Sequence, residues 1–167
     1  MKVGEAWISH IPESKMDQVG SIKEITIGSA NAVEEVPEWE ELEMAVDSGA
    51  SVTVIRRDMV RAVEATCARP DIKYEVADGS QIEHLGEKTF TAYTDSGLEH
   101  YLTAQVTEVN KALLSVSKIV GKGCKVVFDK EDSYIENKSS GEWIPLEERN
   151  GMYVLEMLIG KDQPHPF

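Results

Sequence analysis

The stretch Glu41-Leu42-Glu43-Met44-Ala45-Val46-Asp47-Ser48-Gly49-Ala50-Ser51 decides how this chain is read. Leu42, Met44 and Val46 alternate with Glu41, Glu43 and Ala45, the period-two pattern of a half-buried strand. Asp47 closes that run, Ser-Gly-Ala follows at once, and Val52, Val54 and Ile55 resume an apolar, β-rich run. Asp, Ser and Gly all favour turns. Core-type flanks on both sides nevertheless set this tripeptide apart from an ordinary surface turn. A carboxylate held on a rigid loop between two core strands is well positioned for proton chemistry. Asp47 is the residue expected to carry it. Ser48 offers a small hydroxyl to fix the loop, Gly49 lets two such loops approach closely, and Ala50 is small enough to sit beneath them.

Downstream, Met59, Val63 and Cys67 recur at i, i+4 and i+8 with Val60 alongside, predicting a helix over 56–67 that Arg69-Pro70 stops. Residues 72–77 and 81–86 are two alternating runs around Asp78-Gly79-Ser80, a strong hairpin signal. Residues 88–94 and 98–106 make two further strands joined at Asp95-Ser96-Gly97. This second Asp-Ser-Gly has polar flanks and follows Asp47 too closely to open a second lobe, so Asp95 is read as a turn residue. Residues 112–121 begin as an apolar strand and pass into a short helix capped by Gly121. Gly121-Lys122-Gly123 lacks the full glycine spacing of a phosphate loop. Strands are expected at 124–128, 133–136, 143–146 and 152–159, with turns between them.

Upstream, residues 1–37 read as an N-terminal arm, with a short strand around Ile22, Ile25 and Ile27, and a carboxylate-rich connector that continues to Glu41 and is taken as a solvated acidic loop. Residues 38–160 form the folded domain, and 161–167, with two prolines, a C-terminal tail.

The 167 residues suit one domain of ordinary size, and 41% apolar residues suffice for a modest core. Net charge is −13 with no basic stripe to offset it, which argues against a nucleic-acid partner and against anionic membrane surfaces. No apolar run is long enough to span a bilayer, and the N-terminus lacks a signal-peptide pattern. Cys67 and Cys124 form no disulfide framework or zinc motif and read as small core residues in a reducing intracellular compartment. His10, His84, His100 and His165 show no metal-ligand spacing, so neither a metal nor a cofactor is expected.

The ordered words Val46-Asp47-Ser48-Gly49-Ala50-Ser51, Val76-Ala77-Asp78-Gly79-Ser80, Leu113-Leu114-Ser115-Val116-Ser117, Lys125-Val126-Val127-Phe128 and Asn150-Gly151-Met152-Tyr153-Val154-Leu155 resemble the retropepsin-like aspartic protease domain of Copia-type retrotransposon polyproteins. The resemblance covers roughly 38–159. It implies an all-β, retropepsin-like acid protease barrel with one or two short helices. Such a domain works as a homodimer, each chain giving one catalytic aspartate to cleave a peptide or polyprotein substrate. By match that aspartate is Asp47, on the active-site loop Ser48-Gly49-Ala50, and the hairpin tip Asp78-Gly79-Ser80 is the flap that closes over the peptide. Ser115 departs from the glycine that many viral relatives carry after the second apolar pair.

The rival expectation is a retained retropepsin fold without proteolytic activity, serving as a structural or binding subunit of a larger assembly. A serine or cysteine hydrolase is disfavoured, because no G-x-S-x-G elbow exists and no histidine stands near either cysteine in sequence.

Overall fold

The computed structural model describes residues 2–3 and 35–164. The strand expected around Ile22–Ile27, and most of the N-terminal arm, lie outside these residues. The described chain is mostly β-strand: β1 (Lys2–Val3), β2 (Trp39–Asp47), β3 (Val54–Ile55), β4 (Lys73–Val76), β5 (Gln81–Glu83), β6 (Gly86–Tyr93), β7 (Glu99–Val106), β8 (Ala112–Ser115), β9 (Cys124–Val127), β10 (Tyr134–Asn137), β11 (Trp143–Pro145), β12 (Glu147–Arg149) and β13 (Met152–Gly160). One helix is described, α1 (Val116–Gly121).

Seven strands form the main sheet in the order β12-β13-β2-β8-β3-β7-β6, and Leu158 of β13 also pairs with Tyr93 of β6. Two three-stranded sheets, β1-β4-β5 and β11-β10-β9, complete the strand structure. The alternation in β2 is realised: Leu42, Met44 and Val46 are buried while Glu41 and Glu43 are exposed. Ala45 is buried as well and belongs to a second cluster with Ala50, Val54, Tyr74, Val76 and Leu113. The end of β2 is therefore covered on both faces. β2 begins at Trp39, so the last acidic residues of the expected connector are already strand.

The helix expected over 56–67 does not form. Isolated turns stand there, with Met59 N–H bonded to the Arg56 carbonyl and Val63 N–H to the Val60 carbonyl. Long-range partners take the groups a helix would have used. The Glu40 carboxylate accepts from the amides of Val60 and Arg61, both at 2.7 Å, and Lys88 Nζ donates to the carbonyls of Met59 (2.9 Å) and Val60 (3.0 Å). Val60, at φ 56°, is bent out of helical geometry. Thr66 then runs beside β6, its N–H bonded to the Glu87 carbonyl. A stripe this short is marginal as an isolated helix, and tertiary hydrogen bonds override it. Cys67, expected in the core, is exposed on this segment, and Cys124 is half-buried.

The hairpins follow the sequence closely. β4 and β5 pair antiparallel around Asp78-Gly79-Ser80, and β6 and β7 pair from Gly86–Val106 to Tyr93–Glu99, around a turn containing Asp95. Asn150 (φ 53°) and Gly151 (φ 79°) make the two-residue turn with both angles positive that joins β12 to β13. The expected glycine cap of α1 shifts by two residues: Lys122 is the C-cap, and Gly123 takes the positive-φ position beyond it. The tail is partly anchored, since Gln163 Oε1 accepts from Thr91 N–H (2.8 Å) and Gln163 Nε2 donates to the Gly160 carbonyl (2.9 Å).

Candidate active site

Asp47 is the last residue of β2 and lies in parallel register with Ser115, the last residue of β8. Parallel pairing brings two strand ends to the same edge, so the Asp47 loop and the start of α1 emerge side by side. Asp47 is half-buried, Ser48 and Gly49 are exposed, and Ala50 is buried. The loop thus stands at the border of the core rather than within it, with Ala50 as its root. Asp47 Oδ1 accepts from Gly49 N–H at 2.7 Å, which closes the loop on itself. A Cβ at position 49 would come within 3.2 Å of that same oxygen.

Ser115 fastens the loop from below. Its fully buried hydroxyl donates to the Ala50 carbonyl at 2.6 Å, and its N–H donates to Thr53 Oγ1 at 3.1 Å. The same hydroxyl contacts Ser117 Oγ (3.0 Å) and accepts from Lys118 N–H, making Ser115 the N-cap of α1. One side chain therefore ties the Asp47 loop to β8 and α1. Thr53 was not singled out by sequence. Its signal, a polar residue between Val52 and Val54, is the ordinary outward position of an alternating strand, although Thr53 is buried.

The expected flap residues Asp78, Gly79 and Ser80 sit at the exposed tip of the β4–β5 hairpin. The tip is internally braced. Gly79 N–H donates to the Val76 carbonyl, Val76 N–H to the Ser80 carbonyl, and Ser80 N–H to Asp78 Oδ1 at 2.8 Å. The hydrogen bonds from Ser80 hold the Asp78 carboxyl below its usual range. Gly79 has φ +86° and open space around it. At its other end the hairpin joins the loop's own cluster, with Tyr74, Val76 and Ile82 packed with Ala50, Val52 and Val54. Asp47, Ser48, Gly49 and Ala50 thus share one loop, and the hairpin that carries Asp78, Gly79 and Ser80 shares its hydrophobic support.

His84, beneath this hairpin, is buried and satisfied: Nδ1 accepts from Arg69 N–H (2.9 Å) and Nε2 lies 2.9 Å from Gln105 Oε1. On the exposed side of β2 and β13, Arg149 binds Glu43, Glu147 and Glu156, which holds its guanidinium firmly protonated and gathers three of the chain's many carboxylates around one cation. Among the described residues no group of three or more His, Cys, Asp or Glu is arranged to hold a metal ion.

No family model, no curated protein and no solved structure matches this chain.

Proposed function

We propose that this chain is an aspartic endopeptidase of the retropepsin-like kind, of retrotransposon origin, that works as a homodimer with Asp47 contributed by each copy. The observation that carries the reading is the loop itself: a half-buried carboxylate at a strand end, closed by Gly49 N–H and tied to the neighbouring parallel strand through Ser115. The braced β4–β5 hairpin, rooted in the same cluster as Ala50, supports its role as the flap. The exposure of Ser48 and Gly49 leaves the loop free to meet its counterpart on a second copy.

The chemistry needs both carboxyls within hydrogen-bonding distance. Two like charges so close do not both ionise readily, so the pair shares one proton and titrates as a unit. The ionised member takes a proton from a water molecule while the protonated member hydrogen-bonds the scissile carbonyl. Water oxygen bonds to the carbonyl carbon, and the tetrahedral intermediate then expels the amine as it accepts a proton. No covalent enzyme intermediate forms. Closure of the Asp78-Gly79-Ser80 tip over the peptide excludes water from the reacting bond.

The test is a peptide-library cleavage assay at mildly acidic pH with wild-type protein and Asp47→Asn. The substitution keeps size and fold, so self-association persists while cleavage falls at least about a hundredfold. Equal cleavage by the two proteins contradicts the assignment of Asp47. A folded wild type that stays monomeric and cleaves nothing supports instead a retained retropepsin fold used as a binding or structural subunit.

A further inference from the structure

One imidazole ties together the two ends of the β4–β5 hairpin. Arg69 precedes β4, His84 follows β5, and His84 Nδ1 accepts from the Arg69 N–H at 2.9 Å. The other ring nitrogen lies 2.9 Å from Gln105 Oε1 on β7, and Gln105 Nε2 donates to Glu87 Oε2 on β6 at 2.8 Å. The base of the hairpin is thereby fastened to two strands of the main sheet. The His84 ring is buried.

The order of donors and acceptors along these groups is fixed from one end. A backbone N–H only donates, so Nδ1 must present its lone pair, and the neutral ring carries its proton on Nε2. Nε2–H then meets the Gln105 carbonyl oxygen, and the Gln105 amide N–H meets the Glu87 carboxylate. Every donor has an acceptor, but only while the ring is uncharged. A charged imidazole has no lone pair, so a proton added at Nδ1 sets two donors face to face. The Arg69 bond cannot survive that step in place. The titratable and charged groups around the ring are Tyr74 of β4, with ring centres 6.2 Å apart, Glu87 of β6 beyond Gln105, and Arg69, whose guanidinium pairs with Asp71. Glu87 is reached from the Nε2 side and supplies no acceptor for a proton at Nδ1.

We propose that His84 is a pH-sensitive latch at the base of the β4–β5 hairpin: the neutral ring holds the Arg69 N–H, and proton uptake at Nδ1 releases it. Histidine suits the task, because its charge ordinarily changes between about pH 5 and 8. Transient local opening of the hairpin base is enough to admit the proton. The latch rests on the fold alone. If the hairpin is the flap, its release is tied to acidity, and that extension alone rests on the peptidase reading.

The experiment follows the His84 ring nitrogens and the Arg69 amide of the intact chain by NMR from pH 7.5 to 4.5, with amide exchange corrected for its intrinsic pH dependence. Arg69 protection should fall at least about tenfold in step with protonation of His84. The Leu85 amide, which donates to the Val106 carbonyl in the main sheet, should keep its protection. In His84→Ala, Arg69 should be unprotected at both ends of the range. A charged His84 with Arg69 still protected overturns the proposal, as does a ring that stays neutral to pH 4.5. Loss of Leu85 protection at the same step also overturns it, since that marks general unfolding. The wild-type titration decides the matter even if His84→Ala fails to fold, and none of these readouts requires cleavage.

Discussion

The Ser115 hydroxyl donates a 2.6 Å hydrogen bond to the Ala50 carbonyl, joining residues 65 positions apart in sequence. Both residues are buried, and the bond links the root of the Asp47 loop to the start of α1. It makes the geometry of Asp47 depend on a strand far along the chain.

Ser115→Ala removes that donor and the α1 cap together. A lost buried hydrogen bond and a lost N-cap each cost about 1 kcal/mol. Urea denaturation should show a loss of about 2 kcal/mol with an unchanged slope. A variant of wild-type stability would mean that the loop is held by other contacts.

Gly86 opens β6 at φ +144°, and a Cβ there would stand 2.5 Å from the Thr66 carbonyl oxygen. Gly86→Ala therefore combines backbone strain with a backbone clash, and should cost about 2–4 kcal/mol. Gly79→Ala meets strain alone, because its surroundings are open, and should cost about 1 kcal/mol. Thermal melts of the two variants side by side test this order. Similar losses would show that the segment carrying Thr66 yields easily.

His100 supplies a pH dependence whose sign is fixed by its environment. Its folded pKa is lowered, first by burial and also by Lys122, against the pull of Glu142. Below about 6.5 the unfolded chain takes up the proton before the folded chain does, so stability falls as pH drops through that value toward the folded pKa. Above 6.5 the ring is neutral in both states and contributes no slope. Denaturation of wild type and His100→Gln at pH 7.5 and 5.5 isolates the effect, with the wild type losing more. Equal losses would remove His100 as its source.

The strands were legible because their signals are local. Period-two alternation sufficed for β2, and turn chemistry at Asp78-Gly79-Ser80 located the β4–β5 hairpin. β12 at Glu147–Arg149, the partner of β13, falls between the strands expected at 143–146 and 152–159. The missing helix shows where local reading fails. The Met59, Val63, Cys67 stripe has helical spacing, yet Glu40 and Lys88 capture the backbone groups a helix needs, and those partners lie at least 20 residues from the groups they bind. At the candidate site, the Asp47 loop could be read directly from its apolar flanks. The Ser115 and Thr53 contacts could not, since parallel register between β2 and β8 is invisible in either segment alone. Nothing in the sequence sets His100 apart from the other histidines, because the shielding of its Nε2 and the lack of a partner for it among the described residues arise only from the folded packing.

The central claim is that two Asp47 loops face each other across a two-fold axis. Disulfide capture tests it most directly: Ser48→Cys, on the exposed loop, introduced into a Cys67→Ser background to remove the exposed native thiol. Mild oxidation should convert this protein to a covalent dimer through position 48, while the background protein without the new cysteine stays uncrosslinked. A Ser48→Cys protein that remains a single chain under the same oxidation, and runs as a monomer in light scattering, would contradict the account.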